Sequence, residues 1–264
     1  MCKPNWKDVS LSRMVTSASW LTPPAKLDLG ESEVHVWRAS LEAGPEHYQR
    51  LEHVLSTEER AQAARFHFQR DRNHYIAGRG LLRRILAGYL GLDPAQLKFS
   101  VNAFGKPALS AWPGQPSLQF NLSHSHGLAL FGVARHLQNG IDIEFIRPDF
   151  ATEDIAKRFF SPREVATLLQ LPAEARTEAF FNCWTRKEAF IKARGEGLSI
   201  PLNSFDVALA PGDAPALLHS AHDPEAPSRW SIQALHPGPG YAGALAVEGK
   251  GSELRCWACP IESK

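Results

Sequence analysis

The sequence predicts a mixed α/β chain of α+β character, and three observations lead there. Helical patterns followed by strand patterns occur in each half of the chain. A length of 264 residues with 44 % hydrophobic content can bury a proper core, enough for one large domain or two smaller ones. Internal repetition is not visible as sequence identity, yet the recurrence of helices followed by sheet permits two similar subdomains.

Charge and composition narrow the function classes. The 29 lysines and arginines nearly balance the 28 aspartates and glutamates, so no global field draws the chain to nucleic acid or to a membrane, and anion binding must come from local clusters. The opening M-C-K-P-N-W-K-D-V-S lacks the apolar run of a signal peptide, and no later stretch reaches the ~18 apolar residues of a membrane span; the expected location is cytoplasmic. Of four cysteines, Cys256 and Cys259 form one C-x-x-C. A zinc ribbon needs a second such pair, and Pro260 leaves no room for the helix of a redox motif, so these read as ordinary thiols. No P-loop, dinucleotide fingerprint, H-E-x-x-H or G-x-S-x-G occurs.

Taken in order, residues 1–33 are a polar lead-in with Pro23-Pro24 and no sustained period. A strand fits 34–39, where valines alternate with His35 and Trp37. Ser56-Thr57-Glu58-Glu59 is a capping box that opens the first clear helix. A longer helix runs from about Asp71 to Leu90, with Tyr75, Ile76, Leu82, Ile85, Leu86 and Tyr89 near the 3.6 period and Gly91 and Pro94 as its stop. Its other face carries Arg72, Arg79, Arg83 and Arg84, which reads as a solvated face or as a phosphate-binding row. F-G-K-P-A-L at 104–109 is a turn that presents Lys106. The strand at 118–122 alternates apolar residues with Gln119 and Asn121 and runs into Ser123-His124-Ser125-His126-Gly127. Those hydroxyls and imidazoles are placed donors for a phosphate, or simply turn chemistry. The apolar run 128–134 reads as a buried strand.

Asn139-Gly140 is the pattern of a tight turn, so 128–134 and 141–145 are expected to form an antiparallel hairpin with its loop at 135–140. On the second of these strands Ile141, Ile143 and Phe145 point one way and Asp142 and Glu144 the other. Two carboxylates roughly 7 Å apart along a strand can close around one hard cation. An amphipathic strand showing two acids to solvent is the plainer reading. Ser161-Pro162-Arg163-Glu164 is a second capping box. The longest helical pattern, 177–194, is closed by Gly195 and Gly197 and aligns Trp184, Glu188 and Lys192 along one face. Glu188 before Lys192 is also the ordinary stabilising pair of an exposed helix. Beyond Pro201 the pattern is strands, at 204–209, 230–235, 241–247 and 254–259, with a loop at 236–240.

Four segments in this order, F-G-K-P (104–107), F-N-L-S-H-S (120–125), G-I-D-I-E (140–144) and W-T-R-K-E-A-F-I-K-A-R-G-E-G-L (184–198), resemble the surfactin-synthetase-type 4′-phosphopantetheinyl transferase family. The resemblance implies two α/β halves of similar topology related by a pseudo-twofold axis, with the active site in the cleft between them. It divides the chain into the lead-in 1–33, an N-terminal subdomain 34–136 and a C-terminal subdomain 137–264 that carries the metal site. It implies transfer of the 4′-phosphopantetheine arm of coenzyme A to a serine of an acyl or peptidyl carrier protein, with release of 3′,5′-ADP, by a monomer. By the family pattern Asp142, Glu144 and Glu188 hold Mg²⁺, with Mn²⁺ as a possible substitute. Glu188 is the base for the incoming hydroxyl, Lys192 reaches a phosphate, and Lys106, Ser123, His124 and Lys187 contact the coenzyme. The first capped helix departs from the pattern, with Glu59 and Gln62 where many relatives carry basic residues. That departure shifts the expected phosphate contacts to Arg60, Arg65 or the next helix.

The residues alone leave two other readings open. An acidic trio with basic neighbours also suits a magnesium-dependent phosphohydrolase, which would use water and no carrier protein. A module that binds coenzyme A or a carrier without turnover is the third, although mere binding does not call for Asp142, Glu144, Glu188 and Lys192 together.

Overall fold

The structure, a computed structural model, describes residues 19–110 and 117–260, and within them one topology is laid down twice. The first unit runs from strand β1 (Glu33–Ser40) through helices α1 (Pro45–His53), α2 (Thr57–Ala64) and α3 (Gln69–Leu90). A small hairpin of β2 (Phe99–Val101) and β3 (Pro107–Leu109) follows, then β4 (Leu118–Ser125) and β5 (Leu128–Arg135). The second unit repeats this with β6 (Asn139–Phe145), α4 (Glu153–Phe159), α5 (Pro162–Gln170), α6 (Ala173–Arg194), a hairpin of β7 (Phe205–Val207) and β8 (Leu217–Ser220), then β9 (Trp230–Leu235) and β10 (Tyr241–Glu248). In both, the last strand inserts between the other two, giving the antiparallel orders β1-β5-β4 and β6-β10-β9.

The local chemistry repeats as well. Helices α2 and α5 both begin with a complete capping box, Ser56 with Glu59 and Ser161 with Glu164, which satisfies two orphan N–H groups at each start. Helices α3 and α6 are both 22 residues long and end on a left-handed glycine, Gly91 at φ 64° and Gly195 at φ 71°. The two similar halves expected from the sequence are therefore present, and the repeat lies in topology and caps rather than in identical residues.

Each unit has its own core. Leu51, Leu82, Leu86, Phe120 and Phe131 pack under α3, and Phe180, Phe181, Phe190, Phe205 and Trp230 pack around α6. A third cluster lies between the sheets, with Val34, Val36 and Leu130 of the first against Ile141, Ile143, Leu245 and Val247 of the second. The final strand, β11 (Glu253–Ala258), does not stay with the second unit as the 137–264 division expects. It pairs in parallel with β1, and Leu21 bonds to it in turn through Leu21 N to Cys256 O and Ala258 N to Leu21 O. The edge of β1 would otherwise present a row of unpaired backbone groups. Cys256 faces the inter-sheet cluster while Cys259 packs on the first core, both thiols are free, and burial lifts each to about 12. Residues 1–18 of the lead-in lie outside the described residues.

The strand pairing of 141–145 differs from expectation. β6 pairs with β10, not with β5, and Asn139-Gly140 is part of the strand rather than a turn. The glycine has another cause. A Cβ on Gly140 would lie 2.2 Å from both the carbonyl oxygen of Ala189 and the amide nitrogen of Ala193, so α6 crosses β6 with its backbone where a side chain would stand. Gly140→Ala is accordingly expected to destabilise the protein at or above the top of the ~1–3 kcal/mol typical of overpacking, because neither backbone can rotate aside. Urea denaturation reads this directly, and a change below about 0.5 kcal/mol, the scale of an ordinary surface substitution, would refute the close crossing. Helices α1 and α4 were not read from the sequence; both are short, and each buries one residue, Leu51 and Ala156.

Candidate functional site

β4 and β6 are the facing edges of the two sheets, and side chains rather than a backbone ladder join them. Asn121 Oδ1 accepts from the amide of Ile141 at 2.8 Å, and Ser125 Oγ accepts from the amide of Phe145 at 3.1 Å. Ser123 Oγ donates to Asp142 Oδ1 at 2.9 Å, and Ser125 Oγ donates to Glu144 Oε2 at 3.0 Å. The F-N-L-S-H-S segment therefore continues as strand through Ser125, and every second residue reaches across to the acidic strand. From the sequence Asn121 is only an alternating polar residue and Ser125 only a phosphate donor or turn residue, and neither is expected to bond the acidic strand. The period-two spacing of Asn121, Ser123 and Ser125 was the signal that could have found them.

From the other side, α6 lays Trp184, Glu188 and Lys192 against the same place. Together with Leu122, Ser123, His124, Asp142 and Glu144 they line a cavity of about 400 Å³. Lys192 Nζ donates to Asp142 Oδ1 at 2.6 Å and to Ser123 Oγ at 2.9 Å. Asp142 is 2 % exposed, and its Oδ2 is buried without a hydrogen-bond partner. Burial and then the Asp142 charge lift the carboxyls of both Glu144 and Glu188 above the usual range. Desolvation, then the charges of His74 and Lys192, hold His124 below the ordinary histidine value, which leaves its ring neutral at pH 7 and able to donate one hydrogen bond.

These donors fit a hard divalent cation in kind. An unpartnered buried carboxylate oxygen calls for a positive or donating neighbour, and two nearby acids reluctant to ionise gain from a shared ion. The cage is not preassembled, since among the described residues no three His, Cys, Asp or Glu side chains converge on one point. The Lys192 ammonium lies against Asp142, and Ser125 holds Glu144.

Other candidates stand elsewhere. Lys187, expected at the coenzyme, is 1 % exposed on the opposite side of α6, where its ammonium bonds Glu164 and the carbonyls of Leu202 and Phe205. The residue before Glu188 on a helix necessarily points about 100° away, so both cannot face one cavity. Lys106 Nζ is committed to two carbonyls, Asn139 O at 3.2 Å and Ala193 O at 3.0 Å, and burial brings it down to about 8. The arginine row of α3 is not a free anion surface. Arg79 and Arg83 both grip Glu59, with Arg83 only 2 % exposed, and Arg72 pairs with Glu52. Glu59, the departure in the first capped helix, is thus paired within the first unit. Arg60 and Arg65 are engaged locally, with Leu55 O and Gln62 respectively.

A family model described as the 4′-phosphopantetheinyl transferase superfamily matches residues 138–246, and one described as the N-terminal part of 4′-phosphopantetheinyl transferase matches 37–134. The 4′-phosphopantetheinyl transferase HetI of Nostoc is 43 % identical over 90 % of this chain and 98 % of its own length. The 4′-phosphopantetheinyl transferase Sfp of Bacillus subtilis is 34 % identical over 75 % of this chain and 84 % of its own. The human L-aminoadipate-semialdehyde dehydrogenase-phosphopantetheinyl transferase is 31 % identical over 60 % of this chain and 53 % of its own.

Proposed function

The chain belongs to the 4′-phosphopantetheinyl transferase superfamily, and on that footing we propose that its cavity moves the phosphopantetheine arm of coenzyme A onto a serine hydroxyl of an acyl or peptidyl carrier protein. The serine oxygen forms a bond to the phosphorus of the arm, the pyrophosphate P–O bond breaks, and 3′,5′-ADP leaves with the electron pair. The observation that carries this reading is the cavity itself, where Asp142, Glu144, Glu188 and Lys192 meet from two different elements and one buried oxygen of Asp142 has no partner.

Each side chain has a role in that chemistry. Asp142, Glu144 and Glu188 would hold Mg²⁺, which when bound supplies charge neutralisation for the pyrophosphate oxygens. Glu188 accepts the proton of the incoming hydroxyl; its lifted carboxyl makes it a better base than a surface glutamate. Lys192 turns its ammonium from Asp142 toward a phosphate oxygen, while Ser123 keeps Asp142 oriented. His124 donates from its neutral ring to the nucleotide end of the coenzyme. Trp184 forms an apolar wall.

Intact-protein mass spectrometry of an apo carrier protein, incubated with this chain, coenzyme A and Mg²⁺, tests the proposal. One phosphopantetheine unit is expected on the carrier, and a chelator is expected to abolish the gain. Binding of coenzyme A with every offered carrier unmodified would leave a binding module, and modification that persists with chelator would remove the metal from the reading.

A further inference from the structure

The β2–β3 hairpin belongs to the first unit, yet its tip is built onto the end of α6. Asn102 organises that tip, with its side-chain oxygen accepting from the amides of Phe104 and Lys106, both at 2.9 Å, while Gly105 turns the chain at φ 86°. The Asn102 Nδ2 donates outward to the carbonyl of Gly195 at 2.7 Å, and Lys106 Nζ donates to Ala193 O. Ala193 is the penultimate residue of α6 and Gly195 its cap, so both acceptors lie at the helix end, where carbonyls lack partners within the helix and carry its negative end. The second acceptor of Lys106, Asn139 O, is the first residue of β6. No carboxylate pairs with this ammonium among the described residues, so backbone carbonyls alone hold it. Gly195 fits the same arrangement, since a Cβ there would lie 2.9 Å from Lys106 Cδ.

We propose that Lys106 is a positioning residue, joined with Asn102 in a clamp that fixes the C-terminal end of α6 against the start of β6. Those are the two elements that carry Glu188 and Lys192 on one side and Asp142 and Glu144 on the other. The clamp comes from neither, so the first unit sets the spacing of acids that all lie in the second. This inference rests on the transferase reading for its effect on turnover, though not for its geometry. A displacement of about 1 Å between reacting groups costs on the order of 100-fold in rate, so a loosened clamp should act on kcat.

Lys106→Met, Asn102→Ala and the double variant test it. Each single variant is expected to lower kcat for carrier modification on the order of 10-fold to 100-fold, with KM for coenzyme A within about threefold of wild type. The double variant should lose little more than either single, because the clamp acts as a unit. Amide hydrogen exchange at residues 191–195 and 139–141 should accelerate on the order of tenfold in both singles, with circular dichroism unchanged. A rise in KM and in the dissociation constant of coenzyme A after Lys106→Met, with kcat and exchange preserved, would instead make Lys106 a direct coenzyme ligand and overturn the proposal. If the wild type modifies no carrier, the exchange measurement still decides: unchanged protection at 191–195 in both variants refutes the clamp. Should Lys106→Met fail to fold, Asn102→Ala alone carries the same comparison.

Discussion

Glu188→Gln is expected to lower turnover on the order of 10²-fold to 10⁴-fold while leaving the fold intact, the range set by loss of a general base in the transition state. The substitution keeps the size and the helix position and removes only the ability to take a proton and to carry charge. Stability should not suffer, and the sign follows from the lifted carboxyl. Because burial and the Asp142 charge raise Glu188 above its ordinary value of 4.5, ionising it costs the folded state more than the unfolded one. Stability is therefore lost as the pH rises past 4.5 and through the raised value, and the glutamine is spared that loss. Thermal unfolding at pH 8 should show the variant equal to or above the wild type. Single-turnover transfer at increasing Mg²⁺ separates two roles: recovery at saturating metal would make Glu188 a ligand alone, and a persistent defect would make it the base. Unchanged transfer at every metal concentration would remove it from the mechanism.

Much of this site was legible in the sequence because it rests on short-range periodicities. Alternation placed Asp142 and Glu144 on one side of a strand, and four-residue spacing placed Trp184, Glu188 and Lys192 on one side of a helix; the structure turns both toward the same cavity. The capping boxes at Ser56 and Ser161 were legible for the same reason, since each is closed within four residues. What failed was long-range. Asn139-Gly140 carries the local pattern of a turn, and only the crossing of α6 some fifty positions later explains the glycine. A row of arginines looked solvent-facing until Glu59, on another helix, drew Arg83 into the interior. Lys106 and Lys187 lie within the segments that carry the family resemblance, but nothing local said that backbone carbonyls would claim their ammonium groups. Return of β11 to the first sheet is invisible for the same reason, because pairing partners at the two ends of a chain leave no trace in either segment.

Lys187→Met is expected to cost about 3–5 kcal/mol of folding stability, the scale for breaking a buried ion pair by removing one partner. Glu164, 2 % exposed, accepts from the amides of Ser161 and Val207, both at 2.8 Å, and from Lys187 at 2.7 Å. The lysine in turn holds the carbonyls of Leu202 and Phe205 and lies over the Phe205 ring. One pair thus ties α5, the turn before β7 and the middle of α6 together. Burial already lifts the Glu164 carboxyl even with the ammonium beside it, so without Lys187 the carboxyl should take up a proton more readily still. The deficit is then expected to be greatest at pH 8 and to shrink towards pH 5, since a raised carboxyl contributes stability at low pH and loses it as the pH rises through the raised value. Urea denaturation of Lys187→Met at both values measures this, and Lys187→Met combined with Glu164→Gln should recover part of the neutral-pH loss by removing the stranded charge. A single-variant cost below about 1 kcal/mol, or one independent of pH, would mean the pair contributes little to holding α6. Its placement argues otherwise. Lys187 and Glu188 are consecutive residues on one helix, so the contact that fixes the buried lysine also sets the rotation at which the glutamate enters the cavity.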